Sequence, residues 1–300
     1  MVVGKSFRDH LFDVVNLILL AILFLVILYP LVYIVSASIS DPDLVNSGQM
    51  VLFPRGITFE GYKRVFQDPD IVSGYLNTVL YTAVGTIINL TLTLTSAYAL
   101  SKKRLMGRNV IMFLIAFTMY FSGGMIPSYL LIKNLHMLNK IWALVIPGAV
   151  SAYNLIIART FFASSLPASV EEAAMIDGCS VTRMFLNIVL PLSKALIAVM
   201  ALFYGVAHWN SYFNAMIYLT DRDKFPLQLI LREILIQNQQ KASMMATGVQ
   251  GADELMHLQI ELASLIKYSV IVVASLPAII VYPFIQKHFA QGMMIGSIKG

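Results

Sequence analysis

Charge is scarce in these 300 residues: Asp, Glu, Lys and Arg together make up 12%, about half of what soluble domains carry. A chain this poor in ions cannot cover a water-facing globule of its size, so an ordinary soluble domain is excluded. Cysteine is nearly absent. The single Cys179 excludes an intramolecular disulfide and a multi-cysteine zinc ribbon, and it reads as a bystander thiol. The 21 Lys and Arg against 16 acids give a net charge of +5, too dilute for a phosphate-tracking patch, which argues against nucleic acid as a partner. What the chain has in excess is apolar side chain, at 58%. That surface must face lipid.

Crossing about 30 Å of hydrocarbon as helix takes around twenty mostly apolar residues, and six segments qualify: 14–39, 74–100, 109–132, 141–158, 195–220 and 268–286. None contains Asp, Glu, Lys or Arg, as the cost of an ion at the bilayer centre requires. The first apolar run exceeds the usual signal-peptide core and reads as a retained span. Lys102, Lys103, Arg104 and Arg108 crowd the short 101–108 loop. By the positive-inside rule this loop and both termini lie in the cytoplasm. The outer segments look structured: 40–73 is punctuated by Pro42, Pro54, Gly56, Gly61 and Pro69, while 226–240 and 252–266 have helical apolar spacing. The expected fold is an all-α integral membrane protein, with one permease-like domain covering 1–300.

No enzyme site is legible. Gly4-Lys5-Ser6 lacks the earlier glycine and strand of a P-loop, and no HExxH, GxSxG or metal-spaced His/Cys/carboxylate cluster occurs, so no metal is expected. The spans also lack the acids of a proton-coupled carrier; His208 is their one histidine. Work done by the chain must be powered from elsewhere.

The spans do carry neutral polar stripes. Asn77, Tyr81, Gly85, Asn89 and Thr93 recur every four residues, and Tyr204, His208, Ser211 and Asn214 share a face of the fifth span. One reading is a path for a polyhydroxylated solute, with Asn210 among the hydrogen-bonding groups and Trp209 and Tyr212 packing on sugar C–H faces. The other is interhelical hydrogen bonding, which Asn, Ser and Thr provide in any bundle. The stripes alone do not separate the two.

Between the fourth and fifth spans, residues 169–191 read SVEEAAMIDGCSVTRMFLNIVLP. Ser169 and Glu172 suggest a capping box, Glu171 and Glu172 suit the positive end of a helix, and Gly178 suits a left-handed stop. Ser180 can cap a second helix, and Pro191 suits entry to the fifth span. The expectation is a cytoplasmic helix-turn-helix. Small Ala173 and Ala174 would permit close approach to a partner, and the acids could pair with basic residues there.

This stretch resembles the EAA loop of binding-protein-dependent ABC importer permeases, E-A-A-x3-G-x9-I-x-L-P, through Glu172, Ala173, Ala174, Gly178, Ile188, Leu190 and Pro191. Seven positions at this spacing arise by chance in about one chain in 10⁵ to 10⁶. Trp209-Asn210-Ser211-Tyr212, Phe59-Glu60-Gly61-Tyr62, Phe121-Ser122-Gly123-Gly124 and the ending 294–300 are similar to carbohydrate permeases of the MalG and LplC type.

The resemblance implies a type I importer permease of six transmembrane helices whose loop 166–191 is a cytoplasmic coupling helix. Glu171, Glu172, Ala173, Ala174, Asp177, Gly178, Ile188, Leu190 and Pro191 would then couple it to an ATPase. It implies a bacterial cytoplasmic-membrane complex with a homologous second permease, two ATP-binding subunits that hold ATP and Mg, and an extracytoplasmic solute-binding protein. This chain would bind no cofactor, and alternating access would import oligosaccharides. The LplC-like branch suggests complex ones, such as plant-polysaccharide fragments or alginate. A self-sufficient sugar channel and a membrane scaffold are the alternatives.

Overall fold

The computed structural model describes residues 6–165, 168–246, 266–283 and 286, and among these every regular element is a helix. They group into two compact units, one within Met1–Pro69 and Leu231–Ser275, the other within Asp70–Ile230 and Leu276–Gly300.

In the first unit α1 (Phe7–Ser38) runs 32 residues, about 48 Å, with the Ser6 N–H donating to Asp9 at 2.8 Å at its start. Only its last turn, Ser36, Ala37 and Ser38, is buried. There Ala37, Val45 and Met50 form a small core with Tyr33 and Tyr268, whose rings meet edge-on at 6.1 Å. Asp41 caps α2 (Pro42–Asn46) by accepting from the Asp43 N–H, and α3 (Glu60–Gln67) is held to α1 by Tyr62 hydroxyl on Ser38 at 2.7 Å. Pro42 and Pro69 thus open helices. A first turn tolerates proline because its N–H has no intrahelical partner.

In the second unit α4 (Pro69–Ser101) buries Gly74, Thr78, Tyr81, Gly85, Asn89, Thr93 and Ala97, one stripe at helical spacing, matching the expected second span. With α1 and α15 (Ile266–Pro283) it is one of three described helices long and apolar enough to cross a membrane unbroken. The third, fourth and fifth expected spans are instead interrupted. Residues 109–132 divide into α5 (Arg108–Phe117) and α6 (Met125–Asn134), parted at Gly123-Gly124, with Gly124 at φ +84. Residues 141–158 divide at Pro147-Gly148 into α7 (Trp142–Val145) and α8 (Ala152–Ser165), which runs past the expected end. Glycine and proline weaken the helix in each case.

The segment between the fourth and fifth spans forms α9 (Ala168–Ile176) and α10 (Val181–Met184), then a π-turn Phe185–Val189 and α11 (Leu190–Leu192). Ser169, the expected N-cap, lies inside α9, since the helix-favouring Ala168 before it extends the helix. Pro191 cannot donate to the carbonyl four residues back, and the π-turn takes up that mismatch. At Ser193 the chain turns by 83° into α12 (Lys194–Trp209), and 195–220 breaks again at Asn210–Tyr212 before α13 (Phe213–Tyr218). The expected outer helix near 226–240 is α14 (Leu227–Ala246). The expected helix over 252–266 lies almost wholly outside the described residues, as does the ending 294–300.

Candidate functional site

Helix α9 ends as its sequence dictates. Gly178 sits at φ +72, its N–H donates to Met175 carbonyl at 3.1 Å, and the next N–H, from Cys179, reaches Ala174 carbonyl at 2.9 Å. This is the double closure of a Schellman turn. Ser180 then caps α10 by accepting from the Arg183 N–H at 3.3 Å.

The short rod has two faces. Ala174 is buried in a cluster with Tyr98, Phe162, Met184, Phe185 and Leu196, so α9 is seated on α4, α8 and α12. Ile188 and Leu190 pack against the same cluster from the side, while Pro191 is exposed. Glu172, Ala173, Asp177 and Gly178 face outward, with Ile176 at 86% exposure. An open groove runs along Ala173, Asp177, Gly178 and Asn187. The two adjacent acids part company: Glu171 turns inward onto Lys102, which stands over the Tyr98 ring at 4.1 Å. In the sequence Lys102 reads only as a topological charge, because its pairing partner lies 69 residues away.

The polar stripe of α4 is occupied by the chain's own backbone. Asn89 donates to the carbonyls of Gly148 and Ala149 at 2.9 and 2.8 Å, and Tyr204 hydroxyl accepts from the Ser151 N–H at 3.2 Å while meeting Thr93 at 2.7 Å. These groups satisfy the break between α7 and α8. Irregular backbone within a membrane persists only where protein or water satisfies it. Asn77 donates to the Asp223 and Phe225 carbonyls, Tyr81 donates to Lys224 carbonyl, and Thr78 accepts from the Leu227 N–H at 2.8 Å. Gly74 eases that approach, since a Cβ there would lie 3.3 Å from the backbone Cα and N of Leu227. The cleft between Thr78, Tyr81, His208 and Ser211, about 10 Å³, is barely large enough for one water molecule.

The remaining candidates gather near the break in the fifth span. Trp209 meets Tyr75 edge-on at 5.8 Å, Tyr212 meets Phe213 at 6.5 Å, and Asn210, Tyr212 and Asn214 are exposed. Asn210 Nδ2 also donates to Val206 carbonyl at 3.0 Å, closing the end of α12.

A network absent from the sequence reading lies beyond α13. Asn139, at φ +59, accepts from the N–H groups of Thr220 and Asp221 and donates to the Asp221 carboxylate, which also pairs with Lys224 at 2.7 Å. Arg222 pairs with Asp70 at 2.6 Å. The Lys224 and Asn139 hydrogen bonds hold the Asp221 carboxyl below its ordinary range, and the Asp221 bond raises the Lys224 ammonium. Among the described residues no group of three His, Cys, Asp or Glu could hold a metal ion.

No protein-family model matches the chain. It is 41% identical over 294 residues, 98% of its length and 100% of the relative's, to the polygalacturonan/rhamnogalacturonan transport system permease protein YtcP of Bacillus subtilis (strain 168). It is 42% identical over 291 residues, 97% of its length and 96% of the relative's, to protein LplC of the same organism. Its fold is similar to a chain in the crystal structure of a bacterial ABC transporter involved in the import of the acidic polysaccharide alginate. That likeness has a TM-score of 0.84 and 36% identity and covers 96% of this chain and 99% of that one. With apolar spans, an all-helical fold and relatives matched nearly end to end, the chain belongs to the family of integral-membrane permease subunits of sugar ABC importers.

Proposed function

We propose that the chain imports oligosaccharide fragments of acidic polysaccharides, working with a homologous second permease, two ATP-binding subunits and an extracytoplasmic solute-binding protein. ATP and Mg²⁺ bind in the partner ATPases, and this chain performs no hydrolysis. The observation that supports this reading is the near full-length similarity to a permease named for polygalacturonan and rhamnogalacturonan transport and to a chain of an alginate importer.

The chain's own part is mechanical and selective. The outward face of α9, with Glu172, Ala173, Asp177 and Gly178, seats on an ATPase, while Ile188, Leu190 and Pro191 join that rod to α12. Closure of the ATPases displaces α9, and the bundle alternates between outward and inward access. With no Lys or Arg in the six apolar segments, an acidic sugar is handled by neutral donors and aromatic faces; Trp209, Asn210, Tyr212 and Asn214 lie at the fifth-span break. The Lys102–Glu171 pair puts α9 on the same side as the basic 101–108 loop, which supports a cytoplasmic coupling segment and cytoplasmic termini.

Reconstitution with the partner subunits in proteoliposomes tests this. ATP-dependent uptake of labelled oligogalacturonate in preference to maltodextrin is expected. Uptake without ATP or partners would establish a self-sufficient channel, and preference for the neutral sugar would refute the acidic substrate.

A further inference from the structure

Along the chain, α9 reaches α12 through the Gly178 turn, α10, a π-turn, α11 and an 83° bend at Ser193. The π-turn and the bend both interrupt the regular i→i−4 ladder, so this covalent route is not one continuous helical rod. A second connection exists. Glu171 pairs with Lys102 at the end of α4, the Lys102 ammonium lies 4.1 Å from the centroid of Tyr98, and the side chains of Glu171 and Lys102 are only 17% and 29% exposed. Tyr98 is 5% exposed and wedged between Phe162 of α8, edge-on at 5.7 Å, and Phe185 of the π-turn at 5.1 Å. Arg159 of α8 donates to Leu100 carbonyl at 3.1 Å, which ties the same end of α4 down again. Partial burial shields this pair from the salt screening that weakens surface ion pairs, and the ring face adds a cation–π attraction.

We propose that Glu171 and Lys102, seated on Tyr98, form an internal strut that makes the cytoplasmic end of α4 move with the coupling helix. Glu171 is therefore a positioning residue acting through α4, and its neighbour Glu172, about 100° round the helix and exposed, is the acid that meets the ATPase. The strut extends to α4 the force that the proposed coupling function assigns to α9. Because α4 carries the Asn77–Thr93 stripe, it would convey that movement to the polar interior.

The test uses the whole reconstituted transporter. Glu171→Lys and Lys102→Glu should each lower sugar imported per ATP hydrolysed at least tenfold with the ATP-binding subunit still co-purifying, and the double reversal should recover at least half of the wild-type ratio. Lys102→Met, which keeps the aliphatic stem over Tyr98, should lower the ratio likewise if Lys102→Glu fails to assemble. Normal ratios in the single variants, or a double variant no better than the worse single, would overturn the strut. Release of the ATPase by Glu171→Lys would place Glu171 on the docking face and overturn it too. Failure of the docking reading itself would appear separately, as unchanged ATPase co-purification with Glu172→Lys.

Discussion

His208 Nε2 on α12 lies 2.7 Å from Oδ1 of Asn89 on α4, and the two amide hydrogens of Asn89 are already committed to the carbonyls of Gly148 and Ala149. Those carbonyls fix which way the amide points, so its oxygen accepts and His208 donates from Nε2. One buried asparagine thereby links two helices and the break between α7 and α8.

Replacing Asn89 by Ala leaves both carbonyls short of a partner in a site where Asn89 itself is 0% exposed. The expected loss is roughly 2–4 kcal/mol of stability, read as a lowered melting temperature of the detergent-solubilised chain. His208→Gln keeps a donor and should unfold near the wild-type temperature, whereas His208→Leu should not.

Gly85 makes room for that histidine, since a Cβ there would lie 2.4 Å from His208 Nε2. Gly85→Ala should displace His208 and destabilise to a similar extent as His208→Leu. The double variant should be little worse than either single one, because both break the same contact. Full additivity in thermal unfolding would refute the shared cause.

At Gly178 the cost is conformational and not steric: φ is +72, and an added Cβ meets nothing within 4 Å. Asn, which tolerates the left-handed region, should retain most ATPase stimulation; Ala should cost about 1 kcal/mol of turn stability. Asp adds a charge beside Asp177 and should impair stimulation most. A ranking in which Ala is worse than Asp would point to a contact that the turn geometry does not contain.

The Asp221 network predicts an acid sensitivity. A folded pKa held below the ordinary 3.8 means that its stabilisation is fully present above that value and is lost as pH falls through the depressed one. Lys224, raised above 10.5, contributes below that value and loses its contribution only as pH rises through the raised one. Between these limits protease nicking at 220–226 should be flat with pH, rising only under strong acid. Asp221→Asn should nick faster at neutral pH and lose the acid step.

The sequence by itself determined the features that depend on local chemistry. The uncharged runs declare lipid exposure because an ion there is costly. Gly178 and Ser180 declare the end of one helix and the start of the next because turn and cap are closed by groups within a few residues.

Only the tertiary structure decided the rest. Hydropathy counts side chains and is blind to where a backbone carbonyl finds its donor, so the interruption at Asn210 sits unseen inside an apolar run, while Gly123-Gly124 and Pro147-Gly148 mark weak points without showing which groups satisfy the broken backbone. The periodicity of Asn77 to Thr93 shows that the stripe faces inward. That Asn89 meets a carbonyl 59 residues away follows from how α4, α8 and α12 pack. The same holds for Glu171 and Glu172: identical in charge and adjacent in the chain, they take opposite roles because helical rotation points one at Lys102 and the other outward.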